Sequence, residues 1–264
     1  MKRSSGARLG ATAAVSVLSL ALITGCSGDG SKDTADAKAS GSTASKTTAP
    51  AAKALGAAEL EKLLLAQGEV KGYKVDSGDD TLPKSKSEVQ TDKAECAPLA
   101  WATAGLAPGE TAAGASNSVQ QAKASDKSVP AEDASAEDVA NAFDITMTFV
   151  GLSSYEGDGA QKALKAVSDG VKACSGGYGL KADGEDTKVT KVTAAKGVGG
   201  GDESVAFAEL VDMDGEGTAT FNTEVIRKGN TVATFYTVNF AAFATGEAMD
   251  NPAAVVQAQV AKLK

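Results

Sequence analysis

An α+β fold, an antiparallel β-sheet meander with helices packed on it, is what the sequence predicts for residues 55–264. Three observations predict it. Four runs of mixed apolar and polar residues follow one another at about 187–194, 203–211, 217–227 and 231–240, separated by turns rich in Gly, Asp and Asn. A helical stripe precedes them (Leu60, Leu63, Leu64) and another follows (Val256, Val260, Leu263). Strands grouped together with helices set apart indicate α+β, whereas regular alternation would indicate a parallel sheet.

Taken in chain order, residues 1–25 read as a signal peptide. Lys2, Arg3 and Arg8 give a positive start, an apolar run begins near Leu9, and Thr24-Gly25 stands ahead of Cys26. That layout is secretory. A cysteine directly after such a run resembles the lipobox of bacterial lipoproteins. The resemblance implies cleavage before Cys26 and a diacylated, palmitate-type thiol, and two or more acyl chains anchor stably. Two other readings stay open: an ordinary signal peptide without lipid, or residues 9–25 kept as an anchor, although a span needs about 20 apolar residues. Residues 26–54 are the lipidated cysteine and a tether. From Ser27 to Lys53 there is no aromatic residue and no aliphatic one larger than Ala, Pro50 aside. Such a stretch cannot offset its own ordering entropy. At about 27 residues its mean span is roughly 25–30 Å.

The single domain, residues 55–264, opens with a helix whose Leu60, Leu63 and Leu64 share a face, with Gly68 at its C-terminal cap. Gly72–Val75 reads as a short strand. Cys96–Ala104 reads as a helix bearing Leu99 and Trp101, stopped by Gly105 and Pro108. Residues 105–116 and 124–138 read as surface loops. Phe143, Ile145, Met147 and Phe149 alternate with Asp144, Thr146 and Thr148, the pattern of a strand with one buried and one polar face. A helix from about Gly159 to Cys174 carries a continuous stripe of Ala160, Ala163, Leu164, Val167, Val171 and Cys174. Asp158 stands at its cap with Gln161 in capping-box position. Gly229-Asn230 is a two-residue hairpin turn. It is followed by Val232, Thr234, Tyr236, Val238 and Phe240 on one strand face. Asn251 caps a last helix, with Pro252 at its first position.

Composition removes several function classes. The net charge of the 264 residues is −8. Without the three basic residues of 1–25, it falls to about −11, which repels nucleic-acid backbones. The chain has no histidine. That removes the commonest general base and zinc ligand, together with every Ser-His or Cys-His pair. No cofactor and no metal site is expected. With Cys26 lipidated, Cys96 and Cys174 remain as a disulfide pair, the default in an oxidising compartment. Two buried free thiols are the alternative.

The cysteine in an early helix, the strand Phe143–Val150 leading into Ser154-Tyr155, the helix ending in Cys174, the hairpin RKGNTVATFYTV and a short C-terminal helix occur together over residues 57–264. This arrangement resembles the extracellular sensor domain of the PknH-type actinobacterial receptor kinases, which also occurs alone in lipoproteins. The resemblance implies a curved antiparallel sheet and helices enclosing a cleft for a small ligand. The family's sensor domains usually hold two disulfides, and this chain offers one. Without a kinase domain, any signal would pass through a partner.

Other motifs have plain structural readings beside the chemical ones. Asp212-Met213-Asp214-Gly215-Glu216-Gly217 has the look of a calcium loop. The twelfth position of a full EF-hand loop falls on Thr223, inside a strand, so a turn of solvated acids is the competing reading to weak calcium binding. Gly197–Gly201 has strand signals on both sides and no Lys-Ser or Lys-Thr after it. It therefore reads as a hairpin connection and not as a phosphate cradle. Ser154 or Ser168 with Lys165 or Lys172 would be the pairs for a hydrolase, yet both lysines fall off the apolar stripe, in water. Trp101, Tyr155 and Tyr178 are the candidate ligand contacts, as amphipathic rings at a cleft mouth; their alternative is core packing beside the disulfide.

The sequence thus leads to a non-enzymatic lipoprotein on the outer face of the cell membrane, binding an unknown small ligand or an envelope protein and no nucleic acid. The alternative is a structural lipoprotein that docks another envelope protein, and the third reading is a hydrolase. The anchor is testable by itself. Wild-type protein should enter the detergent phase of a Triton X-114 separation, and Cys26→Ser should move it to the aqueous phase.

Overall fold

A computed structural model describes residues 53–77, 82–111, 113–122, 145–182, 184–213, 217–239 and 248–264, which all lie in one compact unit. In chain order the elements are α1 (Ala57–Leu63), β1 (Tyr73–Asp76), β2 (Val89–Thr91), α2 (Ala97–Thr103), β3 (Gly114–Gln121) and β4 (Thr146–Ser154). They continue with α3 (Gly159–Ala173), β5 (Tyr178–Ala182), β6 (Glu185–Ala194), β7 (Glu203–Asp212), β8 (Thr218–Lys228), β9 (Thr231–Asn239) and α4 (Ala253–Lys262). Among the described residues, one nine-stranded sheet runs β1-β3-β4-β9-β8-β7-β6-β5-β2, with every neighbouring pair antiparallel. The expected meander is its β5–β9 half. Strands β3 and β1 are added through β4, which pairs with its chain neighbour β3 on one side and with the distant β9 on the other, while β2 joins the opposite edge at β5.

The alternation over 143–150 predicts one buried and one polar face for that strand. Both faces are in fact buried. From Thr148 to Ser154 every residue of β4 is buried, and along β9 only Tyr236 is partly exposed. Adjacent residues enter different cores. Val225 and Val232 join the cluster built with α2 and α3, while Ile226, Ala233 and Phe235 join the one built with α1 and α4. Helices therefore cover both faces of the sheet, and its central strands have no solvent side. The polar side chains there satisfy each other. The Thr148 and Thr237 hydroxyls meet at 2.9 Å, and Thr237 donates to Asn251 Oδ1 at 2.8 Å.

That bond changes the role expected of Asn251. It tethers the entry of α4 to β9, and Pro252 takes the cap position instead. Asp158 caps α3 without a side-chain hydrogen bond and pairs with Lys162 at 2.8 Å, so the capping box with Gln161 does not form. Helix α1 ends at Leu63, and Gly68 turns the chain only after a further connection. The largest difference is β3. Its sequence, Gly-Ala-Ser-Asn-Ser-Val-Gln-Gln, carries one large apolar residue, Val119, and overlaps a segment read as loop. Strands β2 and β5 were also not anticipated. Phe143, Phe240 and the 124–138 segment lie outside the described residues.

The disulfide forms as expected. Cys96 and Cys174, 78 residues apart with Cα atoms at 5.9 Å, join the start of α2 to the end of α3. In the chain-entropy model, a loop of that size stabilises the fold by roughly 4–5 kcal/mol. The far end of α2 closes with Gly105 at φ +70°. The Leu106 N–H bonds Trp101 O at 2.8 Å and the Gly105 N–H bonds Ala102 O at 3.1 Å, a Schellman closure. This turn rests on the sheet at Gly151, where an added Cβ would lie 2.2 Å from Gly105 O and 2.5 Å from Thr234 Oγ1.

On the opposite face α4 locks α1. The fully buried Gln259 accepts from Leu65 N at 3.0 Å and donates to Leu63 O at 2.8 Å, and Lys262 Nζ donates to Leu64 O at 2.7 Å. These side chains satisfy backbone groups that the end of α1 leaves open. Gly151→Ala should lower stability by about 1–3 kcal/mol through overpacking. Gly114→Ala, whose Cβ would meet nothing closer than Leu152 O at 3.6 Å, is the near-neutral control. Urea unfolding of both variants checks the difference.

Candidate functional site

Two segments rise beside β3 and β4 and leave a cleft of ≈ 520 Å³ between them. One wall is the stretch from Leu82 into a 3₁₀ turn at Lys86–Glu88. Glu88 folds this stretch, accepting from Lys84 N at 2.8 Å and Ser85 Oγ at 3.0 Å. The other wall runs from the end of α2 to Thr111. Thr111 Oγ1 donates to Ser154 O at 2.6 Å and so fastens that wall to β4. Leu82, Leu106 and Leu152 supply apolar surface, and Ser85, Thr111 and Ser116 supply hydroxyls.

Lys86 gives the cleft its charge. Its Nζ lies 4.1 Å over the Trp101 ring and donates to Gly109 O at 2.7 Å. Glu110 Oε1 stands 3.7 Å away, beyond hydrogen-bond reach, on a side chain 94% exposed. Burial pushes the Lys86 ammonium down, and Glu110 draws it part of the way back. Gly109 is seated against α3, where a Cβ would come within 2.7 Å of Ala163 Cβ. Its N–H donates to Tyr155 OH at 3.2 Å.

The residues singled out from sequence are thus found in three settings. Trp101 is half-buried on α2, its indole N–H donating to Val89 O at 3.3 Å, and it underlies Lys86. Tyr155 is buried at the end of β4, accepting from Gly109 N and from Ser153 Oγ at 3.1 Å; burial pushes its phenol up. Neither lines the cleft: Trp101 lies under Lys86, which does, and Tyr155 bonds Gly109, which does not. Tyr178 belongs to another cluster. All three pack in or against the core that holds the disulfide. Cys26 lies outside the described residues.

Tyr178 leads to a group the sequence reading passed over. Its hydroxyl donates to Oε1 of Glu209, a buried carboxyl on β7 whose Oε2 accepts from Thr103 at 2.8 Å, and Thr103 in turn meets Thr223 at 2.8 Å. Burial pushes Glu209 up, against the pull of the Tyr178 and Thr103 hydroxyls. Burial, then the Glu209 charge, push Tyr178 and Tyr236 up as well. The signal was present in the parity: Glu209 stands between Phe207 and Val211 on the inward side of an alternating strand. For Lys86 there was no such signal, since it sits in a polar run.

The remaining motifs have structural work. In the Gly197–Gly201 connection, Val198 N and Gly199 N donate to the carboxylate of the fully buried Glu224 at 2.9 and 2.6 Å. The N–H groups that would cradle an anion hold the chain's own. Met213 N bonds Gly217 O at 3.0 Å in the β7–β8 turn, whose residues 214–216 lie outside the described set. Among the described residues, no three acidic or cysteine side chains converge as metal ligands. Ser154 Oγ accepts from Leu55 N at 2.9 Å and faces Asn230 O at 3.5 Å. Lys165 is exposed and pairs with Asp169.

Glu209 makes stability depend on pH in a defined direction. An unfolded glutamate has a pKa of about 4.3, and the folded value is raised. The contribution is therefore complete below about pH 4.3 and lost as pH rises towards the folded value. Glu209→Gln should flatten this decline. The difference in unfolding free energy between wild type and variant should shrink or reverse from pH 4 to pH 7, and parallel profiles would refute it.

No family model and no curated protein matches this chain. Among solved structures, it is similar to the extracellular domain of PknH from Mycobacterium tuberculosis, with 14% identity and a TM-score of 0.44 over 80% of this chain and 95% of that one. Among the described residues, no helix is long and apolar enough to cross a membrane.

Proposed function

We propose that this is a cell-surface lipoprotein whose domain binds a small molecule, without catalysis, in the cleft between the Leu82–Lys86 and Gly105–Thr111 walls. The observation that carries the reading is the cleft itself. Its ≈ 520 Å³ falls within the roughly 300–1,000 Å³ usual for small-molecule sites, and it combines apolar walls with a few fixed polar groups, as such sites do. Loops seated on a packed sheet position those groups, the common arrangement for recognition. The lipobox-like segment ahead of Cys26 supports an anchored, outward-facing domain, and the acidic composition supports separation from anionic lipid surfaces.

A docking surface would call for a contiguous apolar patch. Among the described residues, Met213 is the one large hydrophobic side chain that is exposed, at 37%. This observation favours the cleft over docking. A serine hydrolase would need a basic partner at Ser154, and the groups around that hydroxyl are backbone N–H and C=O.

Native mass spectrometry of the full chain, purified in mild detergent from its own host, tests the reading. A small molecule should accompany the protein at near-stoichiometric level and be lost in Leu106→Trp, which fills the cleft. Protein that carries nothing, yet cross-links to one envelope protein, would favour docking instead.

A further inference from the structure

Resting on that reading of the cleft, we infer that its ligand carries an anionic head on an apolar body, and that Lys86 is the group that receives the head. The first argument is charge distribution. The whole chain has 34 acidic against 26 basic residues. Even so, the lining of this cleft includes Lys84 and Lys86 and no aspartate or glutamate. The charged side chains that line the cleft are therefore cationic, with Glu88 and Glu110 beside them but outside the lining.

The second argument is the unfinished coordination of Lys86. An ammonium has three N–H donors. Among the described residues, one donates to Gly109 O, the Trp101 ring faces the charge, and Glu110 remains outside hydrogen-bond distance on an almost fully exposed side chain. The ammonium is bound by Gly109 and Trp101 on a residue that also lines the cleft, with N–H donors to spare. A partly desolvated cation gains more from a contacting anion than an exposed one does. An arriving carboxylate or phosphate can take the place of Glu110 and use the open donors.

The third argument is the placement of apolar surface. Leu82, Leu106 and Leu152 lie in the same cleft as the two lysines. A ligand that satisfied only the charge would leave those walls in water, and a purely apolar one would strand the ammonium. Recognition at Lys86 is ionic, with the hydrocarbon body supplying burial.

The described residues all lie in residues 48–264, which contain every described strand, both cores and the disulfide, so that segment is the sample for calorimetry. Octanoate, octyl phosphate, 1-octanol and inorganic phosphate are the probes. One or both of the octyl anions should bind about tenfold or more tighter than octanol, as a charge-assisted contact implies. Lys86→Met should remove that advantage while octanol still binds, and Lys86→Arg should keep it; retained octanol binding also reports an intact cleft. The stronger of the two octyl anions identifies the head group. Octanol binding as tightly as octanoate and octyl phosphate would overturn the anionic assignment while leaving the cleft reading in place. Inorganic phosphate binding as tightly as octyl phosphate would overturn the apolar body. Failure of every probe to bind, with wild type folded, would overturn both.

Discussion

Strand β4 meets β9 along nine residue pairs, from Thr146↔Asn239 to Ser154↔Thr231. Without this pairing the meander β5–β9 would end in an open edge and β1, β3 and β4 would form a separate sheet. The register also sets what lies above and below. It places Gly151 beside Thr234, leaving the gap that the end of α2 enters. It brings Ser154 and Tyr155 to the β8–β9 turn, where Tyr155 N bonds Asn230 O at 2.9 Å and Asn230 Nδ2 bonds Lys53 O at 2.9 Å. A slip of one residue would exchange the two faces of β4 and expose one core while burying the wrong set in the other.

Two-sided burial has a cost in polar groups, and the protein meets it with specific partners. Glu224 is held by backbone N–H groups, Gln259 by the end of α1, and Thr148 and Thr237 by each other. Arg227, packed against the sheet, bonds Asp202 at 2.8 Å, Glu203 at 3.1 Å and Gly229 O at 3.0 Å. Asn117 donates to Leu65 O at 2.8 Å, and its Oδ1 is the one buried side-chain oxygen or nitrogen, among the described residues, without a partner. Apart from Arg227 to Gly229 O, each bond links residues at least 24 positions apart, so these groups define which packing is native as much as they stabilise it.

The cleft inherits its geometry from the same sheet. Thr111 fastens one wall to β4, Gly109 fits against α3, and Lys86 crosses from the other wall to Gly109. The two walls are therefore joined through the residue that carries the charge.

Elements written in contiguous residues were legible in the sequence. The Gly159–Cys174 stripe became α3, the Gly229-Asn230 turn became the β8–β9 hairpin, and Gly105 stopped α2, because periodicity and turn chemistry act over a few residues. The disulfide was expected there too, since few cysteines leave few pairings, and the fold brings Cys96 and Cys174 together. Val189 and Val192 face one core although their spacing is odd; a bulge between Val189 and Lys191 shifts the register, and periodicity alone cannot show that. Only the tertiary structure decided that β3 is a strand, because Gly114–Gln121 is held by β4 and β1 and not by its own propensity. Only the tertiary structure made Lys86 a site residue: a lysine in a polar run acquires an environment when Trp101 and Gly109, remote along the backbone, are folded against it.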